Sequence, residues 1–285
     1  MLQTKRCDGE TVPRQAILYL SHIHNKKLWR AYKKLESECT TFADVHFVLN
    51  LSSDSVLPDI KNVFPITPAQ RAALGHPHRA TSKGGDKAVL AFRQNNLEYD
   101  YYWIVEYDVA FSGNWSGLFN AFADNTSDML CSNVHRHETN PNWAWWESLE
   151  WPDNSKPELI RGFFVFARLS ARALDAIILA GQKGFGGHYE LMWPTVLHHL
   201  GFSIEDIGGD GQFVRPANVN RWYTSTLTSE ILSPGTLVYR PTHFRPGRKP
   251  NKLWHPVKYN LVEYVRGTRT YTRISSRVTR VLSSF

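Results

Sequence analysis

The chain has 285 residues, 42% hydrophobic and 21% charged, a balance that excludes an intrinsically disordered protein. A chain of this length can bury a sizeable core in one domain, or in one domain with appendages. Its formal net charge of +7 favours anionic partners such as nucleotides, nucleic acid or an anionic membrane surface. Cys7, Cys39 and Cys131 are too scattered for a disulfide framework or a zinc site, which favours a reducing compartment. The first residues lack a signal-peptide pattern, and no 18-residue apolar span occurs, so we expect a cytoplasmic protein.

The chain opens with a strand, a helix and a second strand. Residues 15–22 predict a strand that ends in polar side chains, 26–38 an amphipathic helix, and 45–51 a buried strand. This order predicts a parallel pair joined by a right-handed crossover. We therefore expect an α/β fold with a mostly parallel sheet flanked by helices.

A third strand, within residues 99–109, is rich in aromatic and β-branched residues and ends in two carboxylates, Glu106 and Asp108. Ligands of open α/β sheets collect at the carboxyl ends of strands. A hard divalent cation takes oxygen ligands, and one or two carboxylates plus substrate phosphates suffice. The pattern therefore predicts a metal or phosphate site, and the alternative is an acidic strand end that faces solvent.

The residues before this strand supply candidate phosphate contacts. Asp86 is predicted to be the N-cap of a helix over 87–93. Lys83 and Lys87 lie just before and within that helix, and we assign them, with His22 at the end of the first strand, to the cofactor-binding site. The alternative for Lys87 is a solvated helix lysine. No Gly-x-Gly-x-x-Gly or Walker loop is present, which disfavours dinucleotide oxidoreductases and P-loop enzymes.

The second half continues the alternation up to about residue 208, beyond which the chain looks irregular. We predict a short helix over 115–123, strands over 128–132 and 163–168, a helix capped by Ser170, and a helix opening at His188 after a glycine-rich loop. In that last helix, Pro194 is expected to be tolerated only near the start.

Four segments together resemble nucleotide-sugar glycosyltransferases of the GT-A type. They are 17–21 (ILYLS), 102–109 (YWIVEYDV), 162–165 (GFFV) and 186–190 (GGHYE), in that order. The resemblance implies a GT-A-like, Rossmann-type catalytic domain over 14–245, followed by a basic C-terminal extension over 246–285. It also implies that Asp108 and Glu106 hold Mn²⁺ or Mg²⁺ against the diphosphate of the donor, although this chain has Glu where the family pattern often has Asp. His243 is the best match to the family's late histidine ligand, and His255 is the second.

Inverting glycosyl transfer needs a base that deprotonates the acceptor hydroxyl. Glu190, in the first turn after the glycine-rich loop, resembles the acidic residue that inverting GT-A enzymes place at a helix start. A carboxylate there also pairs with the helix dipole, so a plain surface role is the alternative. His188 is the competing base. A retaining enzyme would not need this base, and the stereochemistry stays open.

A tryptophan-rich segment predicts an acceptor platform, because sugar C–H faces stack on aromatic rings. We assign Trp145 and Trp146 to acceptor stacking and Glu147 to sugar hydroxyls. The alternatives are a buried aromatic patch for the tryptophans and a solvent-facing Glu147.

The basic C-terminal tail predicts an amphipathic helix that lies on an anionic membrane. Its apolar residues, Ile274, Val278, Val281 and Leu282, recur at helical spacing beside several arginines. The alternative is a packed helix with ordinary arginines. Peripheral contact with the inner face of the membrane would suit a lipid-linked acceptor.

The leading hypothesis is a metal-dependent glycosyltransferase with a nucleotide-sugar donor, UDP-sugar favoured, and a glycan or lipid-linked acceptor. By resemblance, the product is expected to be a bacterial surface polysaccharide such as lipopolysaccharide. A nucleotidyltransferase acting on sugar phosphates is the first alternative, but the segment after the first strand (SHIHN, 21–25) lacks that class's glycine-rich loop. A carbohydrate-binding module built on Trp143–Trp151 is the second. Nucleic-acid binding has only the charge in its favour.

Overall fold

A computed structural model describes residues 13–52, 63–74, 85–224, 235–239, 242–258 and 261–267. The strands of these ranges are β1 (Gln15–Ser21), β2 (Asp44–Asn50), β3 (Val63–Ile66), β4 (Tyr101–Glu106), β5 (Ala110–Phe111), β6 (Met129–Arg136), β7 (Ile160–Ser170), β8 (Ile204–Asp206) and β9 (Leu253–Trp254). The α-helices include α1 (Lys26–Cys39), α2 (Pro68–Ala72), α3 (Gly85–Asn95), α4 (Trp115–Asn120), α5 (Ala171–Gln182) and α6 (Tyr189–His199), and residues 261–267 are helical as well. Lys83 and the predicted tail helix lie outside the described ranges.

Seven of these strands form one sheet in the order β3-β2-β1-β4-β7-β6-β8. The pairs β1–β2, β1–β4, β2–β3 and β6–β8 are parallel, whereas β7 runs antiparallel to both β4 and β6. Buried residues of α3, α5 and α6 form a core cluster with side chains of the sheet, and those of α1 and α4 belong to a second cluster. The predicted α/β class, with a mostly parallel sheet flanked by helices, is confirmed.

The connections of β1 and β4 leave the sheet centre in opposite directions. From β1 the chain continues to β2 and β3 on one side, and after β4 it continues to β6, β7 and β8 on the other. Adjacent parallel strands whose connections diverge in this way leave a crevice outside their carboxyl ends, where ligands of open α/β sheets bind. His22 follows β1 directly and Glu106 is the last residue of β4, so both lie at this crevice.

Three local predictions need correction. Asp86 lies inside the first turn of α3, because the helix begins at Gly85, and an acidic residue is favourable there through the helix dipole. α4 ends at Asn120, short of residue 123. Pro194 was expected near the helix start, but it is the sixth residue of α6. A proline has no N–H, so the helix lacks the hydrogen bond to the carbonyl of Glu190. Tight packing of α6, which is buried from Glu190 to Leu197, compensates for the missing bond.

No helix within the described ranges is long and apolar enough to cross a membrane. The division of the chain at residue 246 stays a prediction, as does membrane contact through the tail.

A buried carboxylate ties the far edge of the sheet together. The side chain of Asp128 is only 2% exposed and accepts hydrogen bonds from Ser170 Oγ (2.8 Å) and Ser203 Oγ (2.9 Å), and it pairs with the Arg172 guanidinium. Burial alone would raise the pKa of Asp128, but Arg172, Ser170 and Ser203 outweigh burial and lower it. The carboxylate thus links the start of α5 to the loop before β8.

We expect Asp128→Asn to reduce the free energy of unfolding by about 1–2 kcal/mol at pH 7, discounted because Arg172 is largely exposed. A lowered folded-state pKa gives stability that is present above the unfolded pKa and is lost as pH falls through the folded value. The difference between wild type and Asp128→Asn should therefore shrink below about pH 4. Urea unfolding between pH 7 and pH 3, with the exposed Asp210→Asn as control, tests this. A difference that stays constant over this range would contradict it.

Candidate active site

The acidic end of β4 is held between β1 and the C-terminal part of the chain. The backbone N–H of Tyr107 donates to Leu20 O (2.9 Å), which continues the pairing with β1. The backbone carbonyl of Asp108 accepts from Val257 N (2.7 Å). Asp108 is buried and Glu106 is half-buried. These carboxylates therefore lie inside the crevice and do not form a solvent-facing strand end.

The segment after β9 brings a histidine to these carboxylates. β9 pairs antiparallel with β5, and His255 follows it directly. His255 Nδ1 lies 2.8 Å from Val238 O, and because a carbonyl only accepts, Nδ1 carries the proton of this hydrogen bond. Nε2 then faces Asp108 Oδ1 at 3.4 Å and Glu106 Oε2 at 4.0 Å. An imidazole oriented through its other nitrogen in this way is the arrangement of histidine ligands in metal sites.

Glu106, Asp108 and His255 each offer one ligand atom, and these atoms lie within 4.8 Å of one another. Asp108 Oδ1 is buried and makes no hydrogen bond within the described part of the chain. Two arrangements satisfy Oδ1 and Nε2: an imidazolium that donates to the carboxylate, or a neutral imidazole and the carboxylate sharing a cation. Two carboxylates and one imidazole are a donor set that suits Mn²⁺, so the residues present fit a divalent cation.

The two histidine candidates differ in position. The cluster contains His255, the second candidate from the sequence, and not His243. The backbone of His243 pairs with this segment, since its N–H donates to Pro256 O (2.8 Å), and its ring packs edge-on against Trp254. His243 Nε2 is buried without a hydrogen bond among the described residues. Burial and the charge of His255 lower the pKa of His243.

Lys258 was not predicted from the sequence, because it fell in the segment assigned to the basic extension. Its ammonium donates to Asp108 Oδ2 and, at 3.2 Å, to the hydroxyl of Tyr107. Burial alone would raise the pKa of Asp108, but the positive charges of His255 and Lys258 outweigh it and hold that pKa well below its usual range. Asp108 is therefore ionised throughout the physiological pH range. The only signal in the sequence was a lysine three residues after a candidate histidine ligand.

Two of the predicted donor-side residues, His22 and Lys87, fall within the described ranges. His22 is half-buried and packs edge-on against Tyr107, with 5.1 Å between ring centroids. Lys87 is half-buried in the first turn of α3. His22 is thus in contact with the residue between the two acidic side chains.

Glu190 lies beside β7 and contacts its backbone. It is 8% exposed in the first turn of α6, and its Oε1 is 3.4 Å from the backbone N of Phe164. The preceding residue, Phe163, packs edge-on against His255 with 5.3 Å between ring centroids. Consecutive residues of β7 therefore contact the acidic cluster and Glu190. Burial and the charges of Glu190 and Glu106 raise the pKa of Tyr189 well above its usual value.

His188 forms the middle of an aromatic stack beside Glu190. Its ring stacks on Trp145 (4.8 Å between centroids) and on Tyr189 (5.3 Å), and its Nδ1 is 3.9 Å from Glu190 Oε2. Burial and the charge of Arg161 lower the pKa of His188 to about 4, so the imidazole is neutral at pH 7. A group with this pKa is a weak base at pH 7.

The tryptophans of the predicted platform divide into an exposed and a buried one. Trp145 is 50% exposed. Trp146 is buried, and its indole N–H donates to Asn140 O (2.7 Å), so it packs under Trp143 and does not offer a face to solvent. Glu147 is exposed. The open aromatic face that the sequence predicted is therefore that of Trp145.

No protein-family description and no curated protein sequence matches this chain. Similar solved structures include a glycosyltransferase involved in the glycosylation of the major capsid of PBCV-1, at 9% identity and TM-score 0.31, covering 60% of this chain and 68% of that one. They also include core-mannan synthase A from Aspergillus fumigatus in its Mn/GDP form, at 11% identity and TM-score 0.33, covering 72% and 74%. A putative glucose-1-phosphate thymidylyltransferase from Bacillus anthracis has 8% identity and TM-score 0.41, covering 69% and 87%.

Glycosyltransferases and a nucleotidyltransferase thus both occur among the similar solved structures. Similarity at these identities and TM-scores does not decide between the two classes, so the function has to be argued from the site.

Proposed function

We propose that this protein is a metal-dependent glycosyltransferase that moves a sugar from a nucleotide-sugar donor to a glycan or lipid-linked acceptor. The observation that supports it best is the pair formed by Asp108 Oδ1 and His255 Nε2, 3.4 Å apart at the crevice where α/β sheets bind nucleotides. Asp108 Oδ1 is buried and has no hydrogen bond from any residue that the structure describes. Glu106, Asp108 and His255 would hold Mn²⁺ or Mg²⁺, which supplies a Lewis acid for the leaving diphosphate. His22 and Lys87 are the proposed donor contacts.

Glu190 is the proposed base on the acceptor side. Its carboxylate is mostly buried, and Phe164 N contacts Oε1, which leaves Oε2 on the side of His188. A carboxylate in this position takes the proton from the acceptor hydroxyl as the oxygen attacks the sugar, which corresponds to inverting transfer. The neutral His188 holds Trp145 and Tyr189 in a continuous stack and thereby orients the acceptor.

Three finer points stay predictions. They are a UDP-sugar as the preferred donor, a bacterial surface polysaccharide as the product, and contact of the tail with the membrane. Thermal shift against UDP, GDP, CMP and dTDP, each with and without Mn²⁺, tests the donor site, because a ligand of the folded state raises its apparent stability. We expect a shift for one nucleotide that requires Mn²⁺. Glycan binding that ignores nucleotide and metal would instead identify a carbohydrate-binding module. Release of pyrophosphate from a nucleoside triphosphate and a sugar phosphate would identify a nucleotidyltransferase.

We expect Trp145→Ala to raise the KM for the acceptor about five- to tenfold, because one stacking face is lost. Nucleotide affinity should not change, since Trp145 lies on the side of His188 and Glu190. Trp145→Phe keeps an aromatic face and should retain most of the acceptor affinity. Steady-state kinetics with varied acceptor measures the effect, and an unchanged KM for Trp145→Ala would remove this residue from the acceptor site.

A further inference from the structure

Lys258 occupies a position that the proposed metal chemistry does not use. Its ammonium donates to Asp108 Oδ2, the second oxygen of the carboxylate whose Oδ1 faces His255. The side chain is 14% exposed. The carboxylate of Asp108 therefore accepts from an ammonium at Oδ2, and its Oδ1 faces the predicted cation position.

A divalent ion and an ammonium that share one buried carboxylate repel each other strongly, because solvent screens little there. Each then weakens the other's binding to Asp108 by the same factor. We propose that Lys258 is an internal counter-cation that competes with the divalent ion for Asp108, so that metal binding displaces the ammonium from the carboxylate. This inference rests on the metal site of the proposed function.

The backbone around Lys258 stays in place during this exchange. Val257 N donates to Asp108 O (2.7 Å), and Lys258 N donates to His243 O (2.8 Å). The backbone of residues 257 and 258 is therefore held by hydrogen bonds to two different parts of the chain. The exchange is therefore a rotation of the lysine side chain, whose four-carbon stem is flexible.

Tyr107 provides the second place for the ammonium. Its hydroxyl is 3.2 Å from Lys258 Nζ, and Nζ lies 5.1 Å from the centroid of its ring. A cation near an aromatic face keeps part of its stabilisation when it leaves a carboxylate. Tyr107 also contacts His22, so the displaced ammonium would stay in the crevice.

Direct Mn²⁺ titration, with free Mn²⁺ measured by electron paramagnetic resonance, tests the competition without any activity assay. We expect Lys258→Met to bind Mn²⁺ about tenfold more tightly than wild type, because the competing charge is gone. Lys258→Arg keeps a cation and should remain within about twofold of wild type. Lys33→Met removes one positive charge from an exposed ion pair on α1 and should have no effect. Asp108→Asn should bind no Mn²⁺ at this site.

The outcomes separate the inference from the metal site itself. One outcome is that wild type binds Mn²⁺, Asp108→Asn does not, and Lys258→Met binds Mn²⁺ no more tightly than wild type. This outcome would overturn the competition but would still support the metal site. Absence of binding by wild type and Lys258→Met alike would overturn both.

A second measurement uses the unmodified protein, in case Lys258→Met folds poorly. Amine acetylation followed by mass spectrometry should show faster labelling of Lys258 when Mg²⁺ is added, while labelling of Lys33 stays constant. Equal labelling of Lys258 with and without Mg²⁺ would contradict the displacement of the ammonium.

Discussion

Asp108→Asn is expected to abolish Mn²⁺-dependent nucleotide binding and to lower transfer about 10²–10⁴-fold, because the metal supplies several kcal/mol of charge stabilisation. Asparagine preserves the size of the side chain and removes its charge. Loss of this charge leaves the largely buried Lys258 without its ionic partner. The substitution also removes the anionic oxygen that faces His255 Nε2. The effect should therefore exceed that of Glu106→Gln, since Glu106 is more exposed and lies 4.0 Å from His255.

Calorimetric titration of the nucleotide identified by thermal shift, with and without Mn²⁺, measures this effect. Asp210→Asn is the matched control, because Asp210 is exposed on the loop after β8. Nucleotide affinity that is equal in wild type and Asp108→Asn would remove the acidic cluster from the donor site. Loss of affinity together with a collapse of the thermal transition would point to misfolding, and Asp108→Glu then provides the second variant, with charge retained.

Glu190→Gln is expected to lower kcat about 10²–10⁴-fold, the usual contribution of a general base, and to leave nucleotide binding unchanged. Glutamine keeps an acceptor for the N–H of Phe164, so the first turn of α6 retains its contact with β7. The side-chain amide of glutamine does not take a proton from the acceptor hydroxyl. The expected signature is therefore a loss in kcat at nearly constant affinity for nucleotide and Mn²⁺.

Kinetics with saturating donor and acceptor tests this prediction, and Glu138→Gln, which changes an exposed carboxylate after β6, is the control. A larger loss in His188→Gln than in Glu190→Gln would transfer the base role to His188, against its lowered pKa. Nuclear magnetic resonance of the product anomer adds a separate criterion. Retention of configuration would contradict the proposed role of Glu190, because retaining transfer does not need this base.

The sequence by itself determined the elements whose signals are local. The aromatic and β-branched run before Glu106 predicted β4 because such side chains suit a buried strand, and the structure has the strand at Tyr101–Glu106. Ser170 was predicted to cap the following helix, and its side chain accepts from Ala173 N as expected. The strand, helix and strand at the start predicted the parallel pair of β1 and β2. From these elements the position of Glu106 and Asp108 at a strand end followed.

Only the tertiary structure decided which distant side chains lie beside Glu106 and Asp108. His243 and His255 have the same chemistry, and the choice of His255 depends on β9 pairing with β5, a contact between residues more than 140 positions apart in the chain. Lys258 reaches Asp108 through the same pairing. Trp145 and Trp146 are adjacent in sequence, yet one is exposed and the other buried, because burial depends on what packs against each face. Local patterns report on neighbours along the chain, whereas these contacts arise from long-range packing that no local pattern encodes.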